Sequence, residues 1–228
     1  MGESDSMALN RVERLLGTEV LDKIERVNVI IFGIGGVGSW TAEALVRSGV
    51  KNLTIVDADK VAASNINRQL MALHSTIGMS KVEVLKKRLL DIAPDAHVTA
   101  VARLYNAEIA GEFCLSQYDY VIDAIDSLSD KASLILNATA AHTRLFSSMG
   151  AALKLDPTKI EVAEFWKVQG CPLAAALRNK FKRSGQFPSR KFKCVFSPEL
   201  LKNAVNAPDD SSGAMSFNKV RINGALHL

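Results

Sequence analysis

The stretch Val27-Asn28-Val29-Ile30-Ile31-Phe32-Gly33-Ile34-Gly35-Gly36-Val37-Gly38-Ser39 joins an apolar run to a glycine-rich turn. VNVIIF is nearly continuous in apolar side chains, which predicts a strand covered on both faces. The turn has the spacing GxGxxG, and residues 39–48 read as a helix closed by Gly49. A glycine turn between a strand and a helix lets the backbone approach a phosphate, and the free N–H groups at the helix start point at it. Residues 52–57 (NLTIVD) predict a second strand, ending in Asp57, whose carboxylate is placed to accept from a ribose hydroxyl. Strand, loop, helix and acid together indicate a nucleotide. They leave open which one, and a nicotinamide oxidoreductase stays in contention at this point.

Outward from this unit the pattern repeats. Helices are expected over residues 80–93 (capped by Ser80), 107–116 and 129–141 (opened by Ser129 or Asp130). Strands are expected over 97–104, 119–126 and 144–149. Alternation of this kind predicts an α/β fold, a Rossmann-like, doubly wound and mostly parallel sheet with helices on both faces. After Gly150 the character changes, with strands expected at 159–168 and 192–197 and a helix at 172–182 begun by Pro172. This reads as a smaller α+β extension, so 1–150 is expected to be the nucleotide-binding domain and 151–228 its extension. Residues 208–215 read as a polar loop, and the apolar end, residues 219–228, reads as an element cut short.

Composition narrows the class. The chain has 228 residues, 48% hydrophobic and 23% charged, which excludes disordered and collagen-like types. Its three cysteines, Cys114, Cys171 and Cys194, are odd in number, widely spaced and without a CxxC pair. A disulfide framework and a structural zinc are therefore not expected. The N-terminus has no apolar signal core, and no run approaches the ~18 residues of a membrane span. A cytoplasmic protein without membrane association is expected.

Residues beyond the second strand separate ATP from a nicotinamide. They are Asp57-Ala58-Asp59, Ser64-Asn65-Ile66-Asn67-Arg68-Gln69, Gly78-Met79-Ser80-Lys81 and Asp123-Ala124-Ile125-Asp126-Ser127. Cations hold a triphosphate and a carboxylate holds magnesium against it, whereas hydride transfer needs neither. In order and spacing these segments resemble the ubiquitin-activating-type adenylating enzymes, the ThiF/MoeB-like superfamily. The resemblance implies that Mg-ATP adenylates a carboxylate with release of pyrophosphate. It implies ATP-binding roles for Gly33, Gly35, Gly36, Gly38, Asp57, Asp59, Asn65, Gln69 and Lys81. Catalytic roles would fall to Arg68, Lys81 and Asp126, with Asp126 as the magnesium ligand and Asp123 the poorer candidate. Arg14, in Arg11-x-x-Arg14, resembles the family's N-terminal arginine. A homodimer is implied, with Arg68 reaching the partner's site.

Missing CxxC pairs argue against ThiF and MoeB themselves. Ser148-Met149-Gly150-Ala151-Ala152, Lys154-Leu155-Asp156-Pro157-Thr158, Cys171-Pro172-Leu173-Ala174 and Lys193-Cys194-Val195-Phe196-Ser197-Pro198-Glu199 resemble instead the tRNA threonylcarbamoyladenosine dehydratase branch. That implies an ATP-dependent cyclisation in which the threonine carboxylate is activated and a ring closes with loss of water, with no enzyme cysteine needed. The alternative is adenylation of the C-terminus of a ubiquitin-like sulfur-carrier protein, and a sulfur-transfer partner is implied for some relatives. Charge distribution bears on this choice. Residues 165–198 contain Lys167, Arg178, Lys180, Lys182, Arg183, Arg190, Lys191 and Lys193 and no acid, so this segment carries +8 while the rest of the chain, with 20 bases and 24 acids, carries −4. Such a patch suits a phosphate backbone, and the interleaved aromatics suit unpaired bases. Lys180, Lys182, Arg183, Arg190 and Lys191 are the expected tRNA contacts.

Overall fold

The structure, a computed structural model, describes residues 8–203. The loop expected at 208–215 and the apolar end at 219–228 lie outside the described residues. Two short helices come first, α1 (Asn10–Leu16) and α2 (Thr18–Arg26), and the sequence reading had not assigned either. The alternating part follows as β1 (Asn28–Phe32), α3 (Gly38–Arg47), β2 (Asn52–Val56), α4 (Lys81–Ile92), β3 (His97–Val101), β4 (Tyr120–Asp123), α5 (Leu128–Ala140) and β5 (Arg144–Ser148). The remainder supplies β6 (Glu161–Glu164), α6 (Pro172–Ser184) and β7 (Lys193–Phe196).

One sheet runs through the whole, in the order β3-β2-β1-β4-β5-β7-β6. Every pair is parallel except β6 with β7. The second half therefore extends the same sheet. Two apolar layers sandwich it. On one face Val29, Ile31, Ile55 and Val98 meet the helix stripe Val82, Leu85 and Leu89 of α4, spaced three and four residues apart. On the other, Ile30, Phe32, Val121 and Leu145 meet Leu134, Ile135 and Ala138 of α5 and Ala174, Leu177 and Phe181 of α6.

Several expected elements are shorter. The helix expected at 107–116 is a pair of 3₁₀ turns, Ala110–Phe113 and Leu115–Gln117. Cys114 between them takes a left-handed backbone, φ 44°, which an α-helix does not accommodate. Asn106 Oδ1 accepts the N–H groups of Glu108 and Ile109, closing a turn in place of a helical repeat. The strand expected at 159–168 keeps only β6, between two further 3₁₀ turns. Ser127, not Ser129 or Asp130, occupies the cap position of α5.

The sheet order reverses between β1 and β4. In doubly wound sheets the crevice beyond the carboxyl ends of the strands at that switch is where ligands bind. The glycine turn after β1 and the Ala124-Ile125-Asp126 turn after β4 meet there.

Candidate nucleotide site

Two of the turn glycines are fixed by packing. Gly33 has φ +87°, and a Cβ on it would lie 2.6 Å from the Ala124 carbonyl oxygen. A Cβ on Gly38 would lie 1.9 Å from the Gly33 carbonyl oxygen. Gly35 and Gly36 are different. Their nearest neighbours across the gap are Gln69 Nε2 at 3.9 Å and Arg68 Cγ at 3.4 Å, so these two face open space rimmed by side chains. The backbone N–H groups of Gly35, Gly36 and Val37 make no hydrogen bond among the described residues. Successive unpaired N–H groups at the start of α3 form a cradle for an anion.

Asp57 organises this cradle. Its Oδ2 accepts the Ile34 N–H at 2.6 Å and its Oδ1 accepts the Asp59 N–H at 2.8 Å. Each oxygen keeps a lone pair for another donor. Asp59 in turn pairs with Lys81, Nζ to Oδ2 2.7 Å, and the Lys81 N–H donates to the Asp59 carbonyl. Lys81 is nearly buried at the first position of α4, with its ammonium retaining two further donors. Ser80 holds the cap position, but its Oγ makes no capping bond and is buried without a partner among the described residues.

The segment 62–72 is docked on α3 by Trp40 Nε1 donating to the Arg68 carbonyl and by the Leu70 N–H donating to Ser39 Oγ. Asn65 shapes it: Oδ1 accepts the Ala62 N–H, and its carbonyl accepts from Arg68 and Gln69. The turn so formed presents Arg68 over Gly36 and Gln69 over Gly35. Gln69 is buried, and its Oε1 has no hydrogen-bond partner among the described residues. A buried amide oxygen without a donor costs about 1–3 kcal/mol. Gln69 Oε1 and Ser80 Oγ are thus two unsatisfied groups in segments that border the cradle, as a site shaped for a polar ligand would have. Arg68 lies with its stem against the glycine turn of its own chain, its Cγ 3.4 Å from where a Cβ on Gly36 would sit.

At the end of β4 the two carboxylates divide. Asp123 is fully buried and committed, with Oδ2 accepting from Ser147 Oγ at 2.6 Å and from Lys131 Nζ at 2.9 Å, and Oδ1 accepting the Ile125 N–H. Lys131, also fully buried, donates to the Ile125 carbonyl as well. Asp126 is exposed and forms no hydrogen bond or ion pair among the described residues. Of these two, Asp126 offers the carboxylate to an incoming cation. The described residues contain no group of three or more His, Cys, Asp or Glu able to hold a metal by themselves. A single carboxylate suits magnesium, which completes its shell with phosphates and water.

Lys131 and Ser147 escaped the sequence reading. A signal was present: Lys131 occupies the core stripe 131, 134, 135, 138 of α5, where a lysine needs a buried partner. Arg14 is not brought to the site. It is exposed on α1, and Leu9, at the start of that helix, packs by Gly49, at the opposite end of α3 from the cradle. Lys182, Arg183, Arg190 and Lys191 are exposed and Lys180 partly so, on α6 and the connection to β7.

Fold and site define a Rossmann-like nucleotide-binding protein with a carboxylate at the switch point. The ThiF family matches residues 8–197, and the chain belongs to that family. It is 42% identical over 190 residues to tRNA threonylcarbamoyladenosine dehydratase of Bacillus subtilis, covering 83% of this chain and 74% of that protein. Identity to the Escherichia coli dehydratase is 39% over 193 residues, covering 82% and 72%. The crystal structure of the E. coli enzyme, TcdA, in complex with ATP superposes with a TM-score of 0.83 at 35% identity, over 89% of this chain and 86% of that one. No helix among the described residues is long and apolar enough to cross a membrane.

The glycines give a first prediction. Gly35→Ala is expected to melt within a degree or two of the parent, because its methyl meets nothing closer than 3.9 Å. Its affinity for ATP, measured by calorimetry, is expected to fall about 10-fold or more through crowding of the phosphate cradle. Gly38→Ala, with no room for its methyl, is expected to lower the melting temperature strongly.

Proposed function

We propose that this chain is an ATP-dependent tRNA threonylcarbamoyladenosine dehydratase. The observation that carries the reading is the convergence at one switch point of a free N–H cradle, the Lys81–Asp59 pair, Arg68 with Gln69, and the uncommitted Asp126. The dehydratase relatives match across most of the chain, including the basic second half, and this supports tRNA as the substrate and ATP as its activator.

In this reading Gly33 and Gly38 hold the turn, and Gly35, Gly36 and Val37 donate to phosphate oxygens. Asp57 accepts from the ribose. Arg68, Gln69 and Lys81 face the triphosphate, while Asn65 and Asp59 hold them in place. Asp126 would hold Mg²⁺, which supplies charge neutralisation between phosphates when bound. A threonine carboxylate oxygen attacks the α-phosphorus and pyrophosphate leaves. A nitrogen of the same modification then attacks the acyl carbon, and AMP leaves with the carboxylate oxygen. The nucleoside has lost two hydrogens and one oxygen, a water. The nucleophile is tethered, so proximity supplies much of the rate. The step needs no enzyme thiol, and Cys171 and Cys194 are buried, with burial pushing the Cys194 thiol up to about 12.

Lys180, Lys182, Arg183, Arg190 and Lys191 would contact the tRNA backbone. A homodimer would draw on the sheet face at β6 and β7, where the paired residues Val162 and Val195 are exposed. Arg14 can touch a nucleotide only if a second chain brings it there. A sulfur-transfer protein would enter as a surface partner, and a cytoplasmic setting follows from the substrate.

The test is incubation with ATP and tRNA from cells lacking cyclising activity, followed by mass analysis of the digested nucleosides. Loss of one water from threonylcarbamoyladenosine, with stoichiometric AMP, is expected. An unchanged nucleoside mass would overturn the reading.

A further inference from the structure

The aromatic residues of the basic segment separate into two sets. Phe165, Phe181 and Phe192 are core, with Phe165 stacked on Phe192 at 5.0 Å and edge-on to Phe181 at 5.8 Å. Trp166 and Phe187 are 41% and 52% exposed, yet their ring centroids lie 6.2 Å apart at a 41° tilt. Two large apolar rings side by side in water need an explanation that the core does not provide. They are also held in place. Trp166 packs edge-on against buried Phe165 at 5.1 Å, and its backbone N–H donates to Glu164 Oε2. Phe187 follows Gly185, whose left-handed backbone ends α6, and Ser189 N–H donates to Thr139 Oγ1 just beyond it.

Cations surround the pair in sequence on both sides. Of the eight basic residues in 165–198, only Arg178 has partners among the described residues, the carbonyls of Phe165 and Val168 and the Phe165 ring. Lys167, Lys182, Arg183, Arg190, Lys191 and Lys193 are exposed and without an acid. Helix α6 explains why the charges cluster: its core stripe is Ala174, Leu177 and Phe181, which leaves Lys180, Lys182 and Arg183 off the buried face in the last turns.

Location adds a further constraint. Gly150 and Leu173 meet where α6 begins, beside the carboxyl end of β5, and α6 runs away from that end for 13 residues, roughly 20 Å at 1.5 Å per residue. Phe187, Arg190 and Lys191 follow it, and the Phe165 N–H donates to the Phe192 carbonyl, at the amino-terminal end of β7. The platform is therefore at the opposite end of the sheet from the cradle. A base stacked there is not the base whose side chain is activated in the same chain.

We propose that Trp166 and Phe187 form a stacking platform for an unpaired base of the tRNA, remote from the modified nucleotide, with the surrounding cations holding the adjoining phosphates. This rests on the dehydratase reading for its choice of RNA. Stacking on a fixed aromatic face accepts any base, and the cations supply the salt-dependent part of affinity.

The test uses the full chain with Trp166→Ala, Phe187→Ala, the double variant and Trp166→Phe. For the double variant the KM for tRNA is expected to rise about 10- to 100-fold, the range for losing one to two stacked bases. Its kcat and its affinity for free ATP should be unchanged, and Trp166→Phe should keep most of the tRNA affinity. Independently of activity, tRNA should quench indole emission in the parent, and most of that quenching should vanish in Trp166→Phe. An unchanged KM in the double variant overturns the platform, as does a loss of emission on adding tRNA that is as large in Trp166→Phe, where Trp40 beside Arg68 is the remaining indole, as in the parent. If the parent binds tRNA with Trp166 quenched yet leaves the nucleoside mass unaltered, the dehydratase reading fails and the RNA platform stands.

Discussion

Lys131→Met should lower unfolding stability by about 3–5 kcal/mol, the usual consequence of leaving one member of a buried ion pair alone. Asp123 would keep a hydrogen bond from Ser147 and one from the Ile125 N–H, but it would lose its only counter-charge at a fully buried site. For a chain of this size that corresponds to a fall of about 10 °C in melting temperature. The damage is not confined to stability. Lys131 Nζ also holds the Ile125 carbonyl, and the Ala124 carbonyl is what closes against Gly33. The turn carrying Asp126 and touching the phosphate cradle is braced from beneath by this network. ATP affinity of the folded fraction should fall as well. Removing both charges, Lys131→Met with Asp123→Leu, should recover part of the stability, because no charge is then stranded. Urea titrations of the single and double variants form the required cycle. Equal midpoints for Lys131→Met and the parent would show that the pair contributes nothing.

That network also shows where sequence reading stops. The succession of strands along the chain, the glycine turn and the acid Asp57 at a strand end are legible because each is local: an apolar run, a turn spacing, a residue type at a boundary. The inward placement of Lys131 was legible only as a lysine on an apolar stripe, and its partner lies on a strand eight residues earlier in the chain, brought close by the packing of α5 on β4. Ser147 reaches Asp123 only through the β4–β5 register, which pairs the two residues directly. Composition permits a helix over 107–116, but Cys114 takes a left-handed backbone that an α-helix does not accommodate. The hydrogen bonds that dock the Arg68 segment on α3 lay its stem over Gly36, a placement that no local spacing specifies. Motif residues were thus found from the sequence, and the bonds that support them required the fold.

Asp126→Ala should abolish loss of water from the nucleoside, with a fall in kcat of at least about 100-fold, the scale of removing one electrostatic element aimed at developing charge. The same substitution should leave the melting temperature within a degree or two of the parent, since Asp126 is exposed and bonds to nothing among the described residues. This contrast is what separates it from Asp123, whose substitution should destabilise the fold and only secondarily reduce activity. If Asp126 holds Mg²⁺, Asp126→Asn should behave like the alanine variant, because the amide keeps the shape but loses the charge a hard cation requires. A residual rate in Asp126→Asn should then need a higher Mg²⁺ concentration for half-maximal activity, whereas ATP binding measured without the metal should be nearly unaltered. Full activity with the parent's Mg²⁺ dependence in Asp126→Asn would place the metal on the phosphates alone. The exposed carboxylate would then have to be explained by contact with the tRNA or with a second chain.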